Sequence, residues 1–311
     1  MIYPDLLSPD ANHITLFYAN AMHLHDFVVD YGLTSLDDIT RFRDQLSNVI
    51  AKQVRNAPKG AHTMLMSSEN LTGNLVSPVG VTRLQELLAP HFDEIEILVY
   101  VRRQDDAILS MYGEFMRRGF SGRPFELYLN KALGPQSQTP YLYYRRTLTK
   151  WIDAFGRDAI TVRKFDRSNL IGGDILTDFM TQVLGLDEAP DLSGLVRSED
   201  DNVGLSAPVM EFLRQMYPTF SSRKDDEYNP LRDFVEPIIA TLPSSPRPRM
   251  SSAQSQRIMT TFNPANTWLK ETFFPEVEEP LFPPRDETDA FGNLGHITLE
   301  EFAELAGKFI R

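Results

Sequence analysis

The sequence predicts an α/β fold with three layers, in which helices cover both faces of a mostly parallel central sheet. Three short apolar runs have the composition of buried parallel strands, and they span residues 62–67, 95–101 and 159–162. Helical patterns lie between and after these runs, and this alternation is typical of crossover connections between parallel strands. A helical part is expected to follow towards the carboxyl terminus.

Helices are predicted where apolar residues recur every three or four positions. The residues that carry this pattern are Leu84, Leu87 and Leu88 in one helix, Ile108, Tyr112 and Phe115 in a second, and Leu148, Trp151, Ile152 and Phe155 in a third. Gly156 and Gly185 are predicted to end helices, because glycine readily adopts the conformation of a C-cap. Ser206 or Leu205 is predicted to begin a helix, and Thr298 with Glu301 has the spacing of a capping box before the last helix.

The composition excludes several classes of function. With 42% hydrophobic and 24% charged residues, the chain resembles an ordinary globular protein. The net charge of −12 argues against a nucleic-acid surface, which needs a basic face. The absence of cysteine excludes disulfides and thiol catalysis, and no ligand spacing indicates a metal site. Neither an apolar run of about 18 residues nor a signal pattern occurs, so we expect no membrane span and a cytoplasmic location.

A candidate anion site follows the second apolar run. Arg102 comes directly after Val101, and a helical pattern that carries Ser110 and Tyr112 comes next. Ligands bind beyond the carboxyl ends of strands in open parallel sheets, and a guanidinium there offers forked donors that match phosphate. If the helix begins near Gln104, Ser110 lies almost two turns into it, within reach of the same anion. The alternative is that Arg102 is only the first solvated residue after the strand and Ser110 is incidental.

Arg103 is predicted not to belong to this site. Successive side chains along a strand point to opposite faces, so Arg102 and Arg103 are not expected to turn into one crevice together. Arg103 is expected to pair with Asp106 or to stay solvated.

The strand, Arg102 and Ser110 together resemble the 3′-phosphate-binding motif of sulfotransferases that use 3′-phosphoadenosine 5′-phosphosulfate (PAPS). Other segments resemble bacterial members of this family, in the same order along the chain, from residue 1 to about residue 282. They are Ile2-Tyr3-Pro4 with Asn12-His13, Met64-Leu65-Met66-Ser67-Ser68-Glu69, Val162-Arg163-Lys164-Phe165-Asp166, Phe179 with Leu184-Gly185-Leu186, and Asn202-Val203-Gly204-Leu205-Ser206.

The resemblance implies one P-loop-like sulfotransferase domain over residues 1–283, with 284–311 as a linker and a helix packed on the same domain. It implies transfer of a sulfuryl group from the co-substrate PAPS to a hydroxyl or amine of a small molecule or carbohydrate, without a metal. Arg102 and Ser110 would then hold the 3′-phosphate. The sequence does not indicate an oligomeric state.

Two residues are candidates for the base that deprotonates the acceptor. Glu69 ends the first predicted strand, and His13 lies in the amino-terminal segment that would face an acceptor. The alternative for Glu69 is that it caps the following helix or pairs with an arginine.

One departure from the family pattern bears on activity. Such enzymes begin with a strand and a glycine-rich loop of the type K-x-G-T-T, whose amides and lysine hold the 5′-phosphosulfate. The nearest match, Lys59-Gly60-Ala61-His62-Thr63, precedes a predicted strand and is expected to be a turn. If the resemblance holds, the chain starts after the family's first strand and helix. The sequence therefore leaves two functions open, a PAPS-dependent sulfotransferase and a non-catalytic relative that acts as a binding or assembly module.

Overall fold

The computed structural model describes residues 1–7, 12–134, 137, 139–192, 204–224, 227–285 and 292–309, and the chain is mixed α/β and about 52% helical. The elements up to residue 164 are α1 (Thr15–Tyr18), α2 (Asp26–Asp30), α3 (Leu36–Arg55), α4 (Asn70–Gly73), α5 (Pro78–Leu88), β1 (Ile97–Val101), α6 (Gln104–Arg117), α7 (Phe125–Leu133), α8 (Tyr144–Phe155) and β2 (Ile160–Lys164). The later elements are α9 (Ile175–Leu184), α10 (Ala207–Gln215), α11 (Tyr217–Phe220), β3 (Arg223–Lys224), β4 (Glu227–Tyr228), α12 (Leu231–Ala240), α13 (Ser252–Phe273) and α14 (Leu299–Lys308). None of the helices in the described part of the chain combines the length and apolarity needed to cross a membrane.

The chain divides into two compact units. Unit 1 consists of Met1–Val101, Thr139–Arg163 and Trp268–Glu276. Unit 2 consists of Arg102–Gln138, Lys164–Thr267 and Val277–Arg311. The division into residues 1–283 and 284–311 that the resemblance implies stays a prediction.

Unit 1 contains the parallel pair β1–β2, and this confirms two of the three predicted strands. The amide of Ile97 donates to the carbonyl of Ala159 at 2.7 Å, where the two strands begin to pair. Only Val101 of β1 is fully buried. The predicted three-layer P-loop-like core is not confirmed, because the parallel sheet within the described residues has two strands.

The prediction that residues 62–67 form a central strand of that sheet is wrong. Met64 forms an isolated parallel bridge with Ile2, through bonds of 2.8 Å from the Ile2 amide to Thr63 and from the Leu65 amide to Ile2. The next ladder bond would need an amide hydrogen at Pro4, which proline lacks. The pairing therefore stops after one bridge.

Unit 2 is built around α10, which packs on α6 and on α14. Gly113 of α6 permits the first contact, because a Cβ at this position would lie 2.6 Å from Cε of Met210. At the second contact, the ring of Phe212 lies 5.0 Å from that of Phe302 and 5.4 Å from that of Phe309. The predicted helical carboxyl-terminal part is confirmed.

The predicted helix ends are also confirmed. Gly156 ends α8 with a φ of 86°, and Gly185 ends α9 in the left-handed conformation with a φ of 60°. The Ser206 hydroxyl accepts a hydrogen bond from the amide of Val209 at 3.4 Å at the start of α10. In the capping box of α14, the Glu301 amide donates to the Thr298 hydroxyl at 3.2 Å and the Thr298 amide donates to the Glu301 carboxylate at 2.8 Å.

We expect Thr298→Ala to lower the free energy of unfolding of unit 2 by about 1 kcal/mol, because it removes the side-chain acceptor of an N-cap. Urea denaturation followed by circular dichroism measures this change. The matched control is Thr261→Ala, which removes an exposed hydroxyl that bonds the carbonyl of Arg257 within α13. That control is expected to change stability little, since such bonds do not stabilise helices. An equal loss for both variants would contradict the role of the cap.

Candidate functional site

The residues that directly follow β1 and β2 meet in unit 2. β1 ends at Val101 and α6 begins at Gln104, as predicted, so Arg102 lies on the short link between them. The Arg102 guanidinium lies over the ring of Phe165, 5.7 Å from its centroid, and Phe165 is the first residue after β2. This cation–π contact holds the half-buried arginine at the carboxyl ends of the two strands.

Ser110 is the seventh residue of α6, and it is exposed. It lies about 9 Å along the helix axis from Gln104, as six steps of 1.5 Å require. Asp106 precedes it by four residues and therefore shares its face of the helix. An anion at Ser110 would thus have the Asp106 carboxylate as a neighbour.

Arg103 forms a buried ion pair, and the prediction that it pairs with Asp106 or stays solvated is wrong. Its Nε donates to both carboxylate oxygens of Asp105 at 3.0 Å, and its Nη1 donates to the carbonyl of Pro283. The two side chains are 10% and 3% exposed. The hydroxyl of Ser255 also donates to Asp105, at 2.7 Å, so the carboxylate is compensated inside unit 2.

Asp106 pairs with a residue that the sequence analysis missed, Arg285. The Arg285 guanidinium donates to the two Asp106 oxygens at 2.8 and 2.6 Å. These bonds raise the pKa of Arg285, although burial acts in the opposite direction. The pKa of Asp166 is lowered, chiefly by hydrogen bonds from the Ser168 backbone and hydroxyl, with a smaller effect from Arg285. An isolated arginine in a proline-rich, acidic stretch was the only sequence signal for Arg285.

Seven charged side chains lie at or near the ends of β1 and β2, and we call them the strand-end cluster. Four are cationic and three are acidic, so that their charges almost balance: Arg102, Arg103, Lys164, Arg285, Asp105, Asp106 and Asp166. The first turn of α6 already carries Asp105, whose Oδ1 accepts the amide of Asp106 at 2.9 Å. The helix N-terminus is therefore occupied by a carboxylate, and an incoming phosphate would depend on Arg102 and Ser110.

His13 has a structural environment in unit 1. It is buried, its Nδ1 accepts from the amide of Ser67 at 2.9 Å, and its Nε2 lies 2.9 Å from the carbonyl of Pro4. Because the amide must donate to Nδ1, the proton of a neutral ring is on Nε2 and bonds to Pro4. Both ring nitrogens are engaged, and neither can accept a proton from an acceptor while these bonds persist.

Glu69 has a different environment, although it also belongs to unit 1. It occupies the N-cap position of α4, but its side chain makes no capping hydrogen bond. It is exposed, and it forms no ion pair within the part of the chain that the structure describes. Neither of the two alternative roles of Glu69, a capping hydrogen bond and an arginine partner, is therefore found among the described residues.

Tyr141 is a neighbour of Glu69 that the sequence analysis did not connect with it. Burial raises the pKa of Tyr141, and the negative charge of Glu69 raises it further. A Cβ on Gly73 would lie 2.1 Å from the Tyr141 hydroxyl oxygen, so the glycine permits this position of the ring. Glu69 and Tyr141 thus place a carboxylate near a phenol at a partly exposed surface of unit 1.

No group of three His, Cys, Asp or Glu side chains suited to a metal ion occurs among the residues whose positions are described. No protein-family model, no curated protein and no solved structure matches the chain.

Proposed function

We propose that this chain takes part in sulfuryl transfer from PAPS to a hydroxyl or amine of a small molecule or carbohydrate. The observation that carries the proposal is the position of Arg102 between the end of β1 and the start of α6, where its guanidinium lies over the ring of Phe165. The next residue, Arg103, pairs with the buried Asp105. In this assignment Arg102 and Ser110 hold the 3′-phosphate of the nucleotide, through charge-assisted and hydroxyl hydrogen bonds.

Glu69 is the residue that we assign to the acceptor. In the proposed reaction the acceptor oxygen or nitrogen attacks the sulfur of PAPS, and the bond from sulfur to the phosphate oxygen breaks. The acceptor proton passes to a carboxylate base, a role for which the resemblance makes Glu69 the candidate, and adenosine 3′,5′-bisphosphate leaves with the electron pair of the broken bond. The exposed position of the Glu69 carboxylate, close enough to Tyr141 for its charge to raise the pKa of that phenol, supports this role.

The two residues assigned to the nucleotide set an expectation for the affinity of the chain as given. In the family that the sequence resembles, a glycine-rich loop contributes several charge-assisted bonds to the 5′-phosphosulfate. With Arg102 and Ser110 alone, we expect adenosine 3′,5′-bisphosphate to bind with a Kd weaker than about 1 μM. The second candidate function is a non-catalytic relative that acts as a binding or assembly module.

The test compares two nucleotides on the full chain by ³¹P NMR and calorimetry. Adenosine 3′,5′-bisphosphate is expected to bind at least about tenfold more tightly than adenosine 5′-monophosphate, which lacks the 3′-phosphate. Equal affinities would overturn the assignment of Arg102 and Ser110, and a Kd below about 1 μM would show that a 5′ site had been overlooked. Transfer of ³⁵S from labelled PAPS to 4-methylumbelliferone or a methyl glycoside then separates an enzyme from a binding module.

A further inference from the structure

Two arginines of unit 1 lie on helix faces that are otherwise buried. Arg43 of α3 is four positions after Ile39 and three before Leu46, both of which are fully buried, so it shares their face of the helix. Arg83 of α5 has the same relation to the buried Leu87. The helices α3 and α5 pack on each other, and both arginines are half-buried.

The buried Asn20 connects Arg43 with α5. Its Oδ1 accepts a hydrogen bond from Nη1 of Arg43, and its Nδ2 donates to the carbonyl of Leu16 at 2.7 Å. The backbone of Asn20 lies against α5, because a Cβ on Gly80 would be 3.0 Å from the Asn20 carbonyl oxygen. Gly80 and Arg83 are three positions apart and share a face of α5. Arg83 therefore faces the side of α5 on which Arg43 is held.

The two guanidinium groups repel each other. Burial lowers the pKa of Arg43, and the positive charge of Arg83 lowers it further. The carboxylates of Glu86 and Asp44 act in the opposite direction, but both residues are exposed, so water screens them. Neither arginine forms an ion pair with a carboxylate in the part of the chain that the structure describes.

The guanidinium of Arg83 has no structural partner among the described residues. Its Nε is buried there without a hydrogen-bond acceptor. The fold thus holds a cation at a costly position, next to a like charge, without using its donors. The terminal nitrogens of Arg83 are not buried in this way, so they remain open to a ligand.

An oxyanion with two negative charges matches this pair of arginines. It would cancel the repulsion between them, and its oxygens would accept from the forked donors of both guanidinium groups. A monocarboxylate would balance only one of the two charges. We propose that Arg43 and Arg83 form a binding site for a dianionic oxyanion, namely free phosphate or sulfate or the same group on a small ester. The site is independent of the proposed sulfuryl transfer.

The experiment is calorimetry of the full chain at constant ionic strength in chloride, with sodium phosphate, sodium sulfate and sodium acetate as probes. Phosphate and sulfate are expected to bind with a Kd below about 5 mM, and acetate at least about tenfold more weakly. Arg43→Met and Arg83→Met each keep a long apolar side chain and remove one guanidinium. Each is expected to weaken the binding of phosphate at least about tenfold.

Two other arginine variants locate the bound anion. The matched control is Arg41→Met, which removes an exposed arginine of α3 that pairs with Asp38. It is expected to leave the binding of phosphate unchanged. Arg102→Ala is expected to retain this binding as well, and its loss in that variant would place the anion at the strand-end cluster and overturn the proposal.

The melting temperature Tm separates a binding role of Arg83 from a structural one. In chloride alone, Arg83→Met is expected to melt at the same temperature as the original chain or higher, because it removes a buried unpaired donor and a like charge. About 20 mM phosphate is expected to raise the Tm of the original chain and not that of Arg83→Met. The proposal is overturned if Arg83→Met melts lower in chloride, if neither phosphate nor sulfate binds, or if acetate binds as tightly as they do.

Discussion

Replacement of Arg102 by alanine is expected to weaken the binding of adenosine 3′,5′-bisphosphate about 30-fold or more, or about 2 kcal/mol. The reason is that the variant removes the charged donor assigned to the 3′-phosphate, while Asp106 remains close to Ser110 on α6. Ser110→Ala removes a neutral hydroxyl and is expected to cost less, about 1 kcal/mol. Titrations followed by ³¹P NMR measure these changes even when the affinity is weak.

Two controls accompany this prediction. Arg118→Ala removes an exposed arginine from the same helix region and is expected to leave nucleotide binding unchanged. The second control is the folded state of Arg102→Ala itself, which circular dichroism measures before the titration. If Arg103→Ala lowers the affinity as much as Arg102→Ala under conditions where both are folded, the assignment of the two arginines is wrong.

Arg103→Ala is expected to act on stability instead, and to lower the free energy of unfolding of unit 2 by about 3 kcal/mol. The variant leaves Asp105, which is 3% exposed, without its cationic partner. Ser255 and the amide of Asp106 still donate to this carboxylate, and they keep the loss at the lower end for buried pairs. Urea denaturation followed by circular dichroism measures the change.

The matched comparison is again an arginine that pairs with an acid on the surface. Arg118 and Glu114 are 53% and 49% exposed, and removal of Arg118 is expected to cost no more than about 0.5 kcal/mol. A double variant, Arg103→Met with Asp105→Asn, removes both charges and is expected to recover part of the loss. Equal effects of Arg103→Ala and Arg118→Ala would show that burial does not control the strength of the Arg103–Asp105 pair.

Local sequence determined the ends of several elements of this protein. Gly156 and Gly185 end helices where predicted, and the capping box of Thr298 and Glu301 begins α14. The predicted start of α6 near Gln104, two residues after Arg102, is also confirmed. These features depend on residues within about one helical turn of each other, so the pattern contains all the information that is needed.

Two long helices were not predicted, for different reasons. α3 carries its signal in the sequence, since Ser35 caps it and Ile39, Phe42, Leu46 and Ile50 form its buried face. α13 continues past Pro264, although proline normally interrupts a helix. Packing in the folded chain outweighs the local preference there, and no short pattern contains that information.

At the candidate site, the sequence by itself placed Arg102 after a strand and Ser110 on the following helix. Only the tertiary structure decided their surroundings. Arg103 donates to the carbonyl of Pro283, and its partner Asp105 accepts from the hydroxyl of Ser255. Asp106 accepts from Arg285. The residues of these three contacts are about 150 to 180 positions apart in the sequence. The amide of Ser67 likewise engages His13, 54 residues away. Charge and hydrogen-bond partners at such separations are brought together by burial of distant segments, which local periodicity does not encode.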